Sequence, residues 1–466
     1  MIDYGFKVVF PEPQFLKEAG FGKVARLPFI FDGEPGYARL PNQFLIDKGL
    51  GYWDPKWRGA KRNPLPPTRQ SMKDYAYWLA NALEWAKKRG GIDLMTADYT
   101  DVLINRYQDE MLKGIWSLNN TPLAPETINP RAQIALEYQM WAADKGLREP
   151  FLVPTVTSIY VAGSHNNSKS HEVKSVESRK GKVKVNKRTL VFPSDEQIAA
   201  WRMRVYAKPI VGKTEGLIAD VILSTAIRRE EASCWRVDTL PLDPKEWKIV
   251  NPDQPEEFQS VIVTVKYGAK GKEYAIDEHG DKLGPEGTIH VPIWLARRID
   301  EYRNNDRLLA LKPALRQGKT AEAQRRILKQ MVHLFINPKT GKRYTGDQIY
   351  RFWTEANGPD HWSPHLGRDW WACTYLWERM KQHTELIQQV LKVPNMQKNN
   401  HPMLLALRDT VQTVIQLEIR PQLRHASAAT SEIYLQWLFN QLRVPLNQTR
   451  RWAEMGVDES TEEERA

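Results

Sequence analysis

Cysteine is almost missing from this chain. Cys234 and Cys373 are the only two in 466 residues. That is a poor disulfide framework for such a length, and two free thiols in a reducing cytosol is the reading that follows. No Cys-x-x-Cys pair and no Cys/His cluster suggests a zinc site. Long apolar runs are also lacking. The longest, near 217–227, contains Asp220 and is too short to span a bilayer. The start, Met1-Ile2-Asp3-Tyr4-Gly5-Phe6-Lys7, has no charged-then-apolar signal pattern. No acidic cluster of the two-metal kind and no internal repeat is visible. These absences point to a cytoplasmic protein with no membrane partner and no cofactor.

What is abundant is positive charge. Lys and Arg number 67 against 56 Asp and Glu, a formal net charge of +11. The surplus suggests a polyanionic partner, nucleic acid first and an acidic membrane surface second. Hydrophobic residues at 41% and charged residues at 26% suit ordinary globular cores. The length implies two or three domains.

Residues 1–66 are rich in Pro, Gly and aromatics without a sustained period. Phe29, Phe31, Tyr37, Phe44, Tyr52, Trp53 and Trp57 form a small domain there or pack onto a neighbour. Pro64-Leu65-Pro66-Pro67 marks a break. From Ser71, Tyr75, Trp78, Leu79, Ala82 and Ala86 recur at helical spacing. A second helix is expected over 100–112, with Leu103, Tyr107 and Met111 on one side, and a third over about 130–145. This gives a helical domain at 67–150. Residues 151–190 read as an interdomain linker. Its stretch 163–188 is loop-like and basic, with Lys169, Lys174, Arg179, Lys180, Lys182, Lys184, Lys187 and Arg188. It reads as a solvated tether, and also as a segment that lies along phosphates. A larger domain follows at 191–445, and a polar tail at 446–466. In the larger domain Ser194-Asp195-Glu196-Gln197 starts a helix, and 217–227 is a buried one. Val261–Val265 and Ile289–Ile293 are strands, and the pattern from Trp294 onward is largely helical.

Four segments of the larger domain carry groups suited to phosphate chemistry. Thr225-Ala226-Ile227-Arg228-Arg229-Glu230-Glu231 places arginines at the end of an apolar helix. A guanidinium offers a planar fork of donors to a phosphate's paired oxygens. Tyr267-Gly268-Ala269-Lys270-Gly271-Lys272 sets lysines on a glycine-containing turn after a strand. Ser363-Pro364-His365-Leu366-Gly367-Arg368-Asp369 puts His365 and Arg368 on one helix face. Arg424-His425-Ala426-Ser427-Ala428-Ala429-Thr430-Ser431-Glu432-Ile433-Tyr434 ends in a tyrosine nine positions after its histidine. Each segment alone has a bland reading, as a solvated helix surface, an exposed turn, a chance pair or a buried core tyrosine.

Their order (Arg, Lys, His-x-x-Arg, His, Tyr) resembles the tyrosine recombinase, or phage integrase, family. Thr225–Glu231 matches its first box, His365–Arg368 its second, and His425 with Tyr434 its last. The chain departs from that pattern in places. Arg424 stands where the family has glycine, and Asp369 stands where the second box usually continues with histidine. There is extra sequence around Gln382–Arg420, and Lys272 competes with Lys270 for the catalytic lysine.

The resemblance covers roughly 68–445 and implies a mainly α fold with a small β-sheet. A helical core-binding (SAM-like) domain and an α+β catalytic domain would form a clamp on double-stranded DNA. It implies catalytic roles for Arg228, Lys270, His365, Arg368, His425 and Tyr434. Tyr434 would be the nucleophile, giving a 3′-phosphotyrosine intermediate without metal or ATP. Lys272, Lys180, Lys182, Lys184, Lys187 and Arg188 are the expected DNA contacts. A homotetramer on two DNA sites is implied, with accessory DNA-bending proteins as further partners. Trp437, Leu438, Phe439 and Leu442 present an apolar face to a neighbouring protomer or to their own chain. The alternatives are a type IB topoisomerase, a telomere-resolvase-like enzyme, a metal-dependent nuclease, and a catalytically inactive DNA-binding regulator.

Overall fold

The computed structural model describes residues 5–33, 36–55, 66–162, 172–185, 188–269, 275–391, 402–425 and 431–443. The chain is mostly helical with small antiparallel sheets, and it divides into two units, 1–187 and 188–466.

In the first unit, β1 (Lys7–Val9), β2 (Phe29–Asp32) and β3 (Gly36–Tyr37) form an antiparallel sheet in that order, with α1 (Pro13–Glu18) between the first two strands. α2 (Arg39–Gly49) follows, then α3 (Arg69–Lys88). The Thr68 hydroxyl caps α3 by accepting from the Ser71 amide. The buried stripe of α3 is Met72, Ala76, Leu79 and Trp85. A π-helical stretch, Tyr99–Gln108, runs into α4 (Asp109–Leu112), and Leu103, Tyr107 and Met111 are fully buried on it. α5 (Pro125–Asp144) begins earlier than its apolar period suggests and carries Pro130 inside. The N-terminal aromatics are no separate body. Ile30, Phe44, Leu45 and Trp53 lie in one core with Leu79, Trp85 and Trp141. The Phe44 ring meets Trp53, Tyr138 and Trp141 edge-on at 5.6–5.9 Å, contacts each worth about 0.5–1.5 kcal/mol beyond area burial.

Of the tether expected at 151–190, residues 163–171, with Lys169, and 186–187 lie outside the described residues, and the described part includes a strand pair. β4 (Thr155–Ala162) and β5 (Glu172–Arg179) pair antiparallel, from Thr155 opposite Arg179 to Ala162 opposite Glu172. Beyond β5 the chain docks on the helices. Tyr99 and Gln108 donate to the Lys180 and Gly181 carbonyls, and Asn129 exchanges two hydrogen bonds with the Val183 backbone. Arg179, expected to face solvent, is buried against Tyr99 and Gln108. Interleaved β-branched residues give strand character here despite the basic composition.

In the second unit, α6 (Asp195–Tyr206) opens with a Ser194/Gln197 capping box. α7 (Gly212–Thr225) is buried on nearly every side, as its apolar sequence requires. It ends at Ala226, whose φ of 53° turns the chain into α8 (Arg229–Ser233). A sheet ordered β6-β7-β9-β8 follows, from Ile249–Val250, Ser260–Tyr267, Lys282–Pro292 and Ala275–Ile276 respectively. Pro292 closes its strand and starts α9 (Ile293–Asn304).

The helices after it are α10 (Asp306–Ala310), α11 (Lys312–Leu315), α12 (Ala321–Gln330), α13 (Gly346–Glu355) and α14 (Pro364–Lys381). The extra sequence forms α15 (Thr384–Leu391) and α16 (Pro402–Val414), the latter continuing through a π-helical turn into α17 (Arg420–Leu423). α18 (Glu432–Arg443) is the last described helix. Leu376, Met380, Leu407, Val411, Ile419, Leu435 and Leu438 form the core beneath α14 and α18. Leu438 and Leu442 are therefore buried in their own chain, and Trp437 meets Phe192 edge-on. Among the described residues no helix is long and apolar enough to cross a membrane.

Candidate active site

Three chain reversals in the second unit bring separated segments together. The first is the left-handed turn at Ala226, which leaves Arg228 as the residue before α8. Arg228 donates to Glu231 Oε1 at 2.9 Å and to the Leu423 carbonyl at 3.3 Å. The second is the start of α14, where the Ser363 hydroxyl caps the helix that carries His365, Arg368 and Asp369. Arg368 is 2% exposed and donates to the Ala226 and Leu423 carbonyls. One carbonyl, that of Leu423, thus receives both arginines. Burial and the neighbouring Arg228 push the Arg368 guanidinium down to about 9. It stays cationic at neutral pH, and a bound anion would relieve its repulsion with Arg228.

The third reversal is at Arg424, where φ is 51°. A left-handed residue here explains why glycine suits this position. Arginine is accommodated because its guanidinium pairs with the buried Glu231. Its side chain also passes over Gly287, where an added Cβ would lie 2.4 Å from Arg424 Cδ. Burial favours the neutral form of Glu231, but Arg424 and Arg228 hold its carboxyl below the ordinary range.

His425 follows. Its Nδ1 shares a 3.0 Å hydrogen bond with the Ser431 hydroxyl, and Arg420 donates to its carbonyl. Burial, then the positive charges of Arg368 and Arg228, push the imidazole down to about 3. It is neutral at pH 7 and has one N–H to offer. Its ring lies parallel to that of Tyr434, with 6.3 Å between centroids and 14° between planes. Tyr434 is 1% exposed and donates to Asp369 Oδ1 at 2.9 Å. Burial, then the Asp369 charge, push its phenol well above the ordinary tyrosine range.

Asp369 is itself buried. Arg188 Nη2 lies 2.8 Å from its Oδ2, and His365 Nε2 lies 3.9 Å from the same oxygen. Arg188, expected along DNA, thus makes an ion pair within its own unit while its side chain remains 49% exposed. His365 has 72% of its side chain exposed.

Arg228, His365, Arg368, His425 and Tyr434 therefore gather in one place. Lys270, Lys272 and Lys187 lie outside the described residues. The strand-to-loop junction just before Lys270 is described. Gly268 has a φ of 71°, and an added Cβ would lie 2.5 Å from the Glu230 carbonyl oxygen, so the junction presses on the backbone of α8 beside Arg228. Lys180, Lys182 and Lys184 are exposed in the first unit.

No family model matches this chain, and no curated protein matches its sequence. Solved structures do. One is the XerH site-specific recombinase bound to palindromic difH substrate in a post-cleavage complex, 14% identical over 82% of this chain and 79% of that one, with a TM-score of 0.45. Another is the Tn1549 transposon integrase with a circular intermediate DNA, 10% identical over 84% and 94%, TM-score 0.44. The XerA recombinase is 13% identical over 87% and 98%, TM-score 0.30. Identities this low carry no correspondence between individual side chains.

Four residues outside the expected catalytic set belong to this constellation: Glu231, Asp369, Arg424 and Ser431. Glu231 and Ser431 lie within the motif segments, where nothing in the spacing sets them apart. Arg424 and Asp369 were visible as departures from the family pattern. That a departure can itself be a working contact is the signal that was available.

Proposed function

We propose that this protein is a site-specific DNA recombinase that breaks and rejoins DNA through Tyr434. The observation that carries this reading is the convergence of two arginines, two histidines and a tyrosine, from three distant segments, around the Leu423 carbonyl and the Asp369 carboxylate.

A phosphodiester needs a nucleophile, charge neutralisation and a proton for its leaving oxygen. The Tyr434 phenol supplies the nucleophile, and a 3′-phosphotyrosine conserves the bond energy for rejoining. Each arginine has five N–H donors, more than its present contacts use, and the remainder serve the non-bridging oxygens. Neutral His425 adds a hydrogen bond to the same phosphate. Lys270, or Lys272 beside it, is the acid for the 5′-oxygen, and His365 assists Tyr434. The cationic side chains supply the neutralisation, so the reaction needs neither metal nor ATP. Both units would engage double-stranded DNA, as a clamp. Lys180, Lys182, Lys184 and Lys187 would meet phosphates, and four copies would assemble on two sites.

The test is a nicked suicide duplex carrying a candidate site from the DNA that flanks the gene, incubated in excess chelator and run on a denaturing gel. A protein–DNA adduct in the wild type that is missing from Tyr434→Phe is the expected result. Firm binding of the same duplex with no adduct would overturn the reading in favour of a DNA-binding regulator.

A further inference from the structure

The reaction just proposed requires something to take the phenolic proton. We infer that Asp369 is the group that accepts it, at the moment Tyr434 attacks. This assignment rests on the recombinase reading and deepens it.

A base must lie within hydrogen-bond reach of the proton it removes. Asp369 Oδ1 does so, 2.9 Å from the Tyr434 hydroxyl oxygen. Tyr434 and Asp369 are 1% and 3% exposed, so bulk water has little access to the phenol. His425 lies parallel to Tyr434, with 6.3 Å between ring centroids, and its Nδ1 is engaged with Ser431. His365 meets the far side of the same carboxylate, with Nε2 3.9 Å from Oδ2. The carboxylate therefore lies between histidine and tyrosine, one oxygen toward each.

The second oxygen sharpens the case. Oδ2 is buried, and among the described residues it receives no aligned hydrogen bond, although Arg188 Nη2 lies 2.8 Å away as an ion-pair partner. Most buried side-chain polar atoms have at least one hydrogen-bond partner. Here Oδ2 has Arg188 as an ion-pair partner and no aligned hydrogen bond, and His365 stands beside it.

The chemistry balances. As the phenolic oxygen bonds to phosphorus, its O–H bond breaks and the proton passes to Asp369 Oδ1. The phosphorus–O5′ bond breaks with its electron pair going to the 5′-oxygen, which takes a proton from the lysine acid. In the rejoining step Asp369 returns its proton to the phenol. Before attack the proton stays on the phenol, because burial and the adjacent carboxylate both disfavour a free phenolate. Transfer is therefore coupled to formation of the new bond, and the nucleophile is silent until a phosphate is in place.

The experiment is single-turnover cleavage of the suicide duplex by wild type, Asp369→Asn and Asp369→Glu, with duplex affinity and melting temperature measured in parallel. Asp369→Asn should bind the duplex as the wild type does and cleave on the order of 10²-fold slower or more. Asp369→Glu, which keeps a carboxylate, should recover at least a tenfold part of that loss. Asn cleaving within threefold of wild type would overturn the assignment, as would Asn and Glu failing equally with unchanged melting and binding. If Asp369→Asn does not fold, the wild type carries the test on a duplex with sulfur replacing the bridging 5′-oxygen. That leaving group needs no proton, so slower cleavage in deuterated water reports the phenolic proton alone, and an unchanged rate would overturn the assignment. A wild type that forms no adduct at all would instead overturn the recombinase reading, and this assignment with it.

Discussion

Two buried aspartates in the second unit, Asp281 and Asp369, are dressed in opposite ways. Asp281 is fully buried, and its oxygens are shared among Arg236, His333 and Arg343. Arg236 also stacks on Tyr267, with the guanidinium carbon 3.6 Å from the ring centroid. The cluster ties the β8–β9 turn to the segments around Arg236 and His333 and leaves nothing over. Asp369 accepts from Tyr434 through one oxygen and pairs with Arg188 through the other, which receives no aligned hydrogen bond. Equal burial does not mean equal purpose. A saturated carboxylate fastens chain segments together, and an unsaturated one is available for chemistry.

Substitutions can break this contrast. The largest effect is expected from Tyr434→Phe, with complete loss of the adduct on the suicide gel. Its stability should fall by only about 1–3 kcal/mol in a denaturant titration, the range for one buried acceptor left unfilled. A larger fall would mean that Tyr434 serves packing as much as chemistry. Arg368→Gln should slow cleavage by about 10²–10³, the scale of losing one strong electrostatic donor. A near-wild-type rate in a quench assay would remove Arg368 from the site. Asp281→Asn should cost roughly 3–5 kcal/mol of unfolding free energy, because it strands buried cations. A loss no larger than that of Tyr434→Phe would erase the distinction between the two aspartates.

Acid should separate the two clusters. The folded value of His425, about 3, lies below its ordinary 6.5. The unfolded chain therefore binds this proton first, and the stability held above pH 6.5 drains away as pH falls toward 3. Asp281 is also held below its ordinary value despite burial, by His333 and Arg236. Its contribution is lost only below about pH 4. Melting curves across pH should show both phases, and His425→Asn should flatten the higher one alone. The smallest effect is expected from Arg424→Gly. It relieves a left-handed residue, worth about 1–2 kcal/mol, and removes one partner of Glu231, so the net change should stay within about 1 kcal/mol. A fall above about 3 kcal/mol would mean that losing the Glu231 ion pair far outweighs the relief of the backbone.

Periodicity made part of this architecture legible. The α3 stripe, the apolar run of α7 and the β7 strand follow directly from residue spacing. The β4–β5 ladder was hidden because the stretch 163–188 reads as a basic loop, while β-branched residues on both strands favour extended backbone. The N-terminal aromatics could not be assigned a partner, since a shared core depends on contacts such as Phe44 with Trp141, distant in sequence. In the site, the gathering groups were readable as an ordered set of motifs. The atoms that join them were not. Backbone carbonyls such as that of Leu423 leave no mark in a sequence, and neither does the reach of Arg188 to Asp369.

α18 rests on α14 and α16 of its own chain, with Leu435 and Leu438 beneath it. On the proposed reading, each copy then brings its nucleophile and its arginines to the same phosphate unaided. Cutting a single strand would depend on occupancy of that strand and not on how many copies have met. Dilution would thin the joined products long before it thinned the adduct per bound molecule.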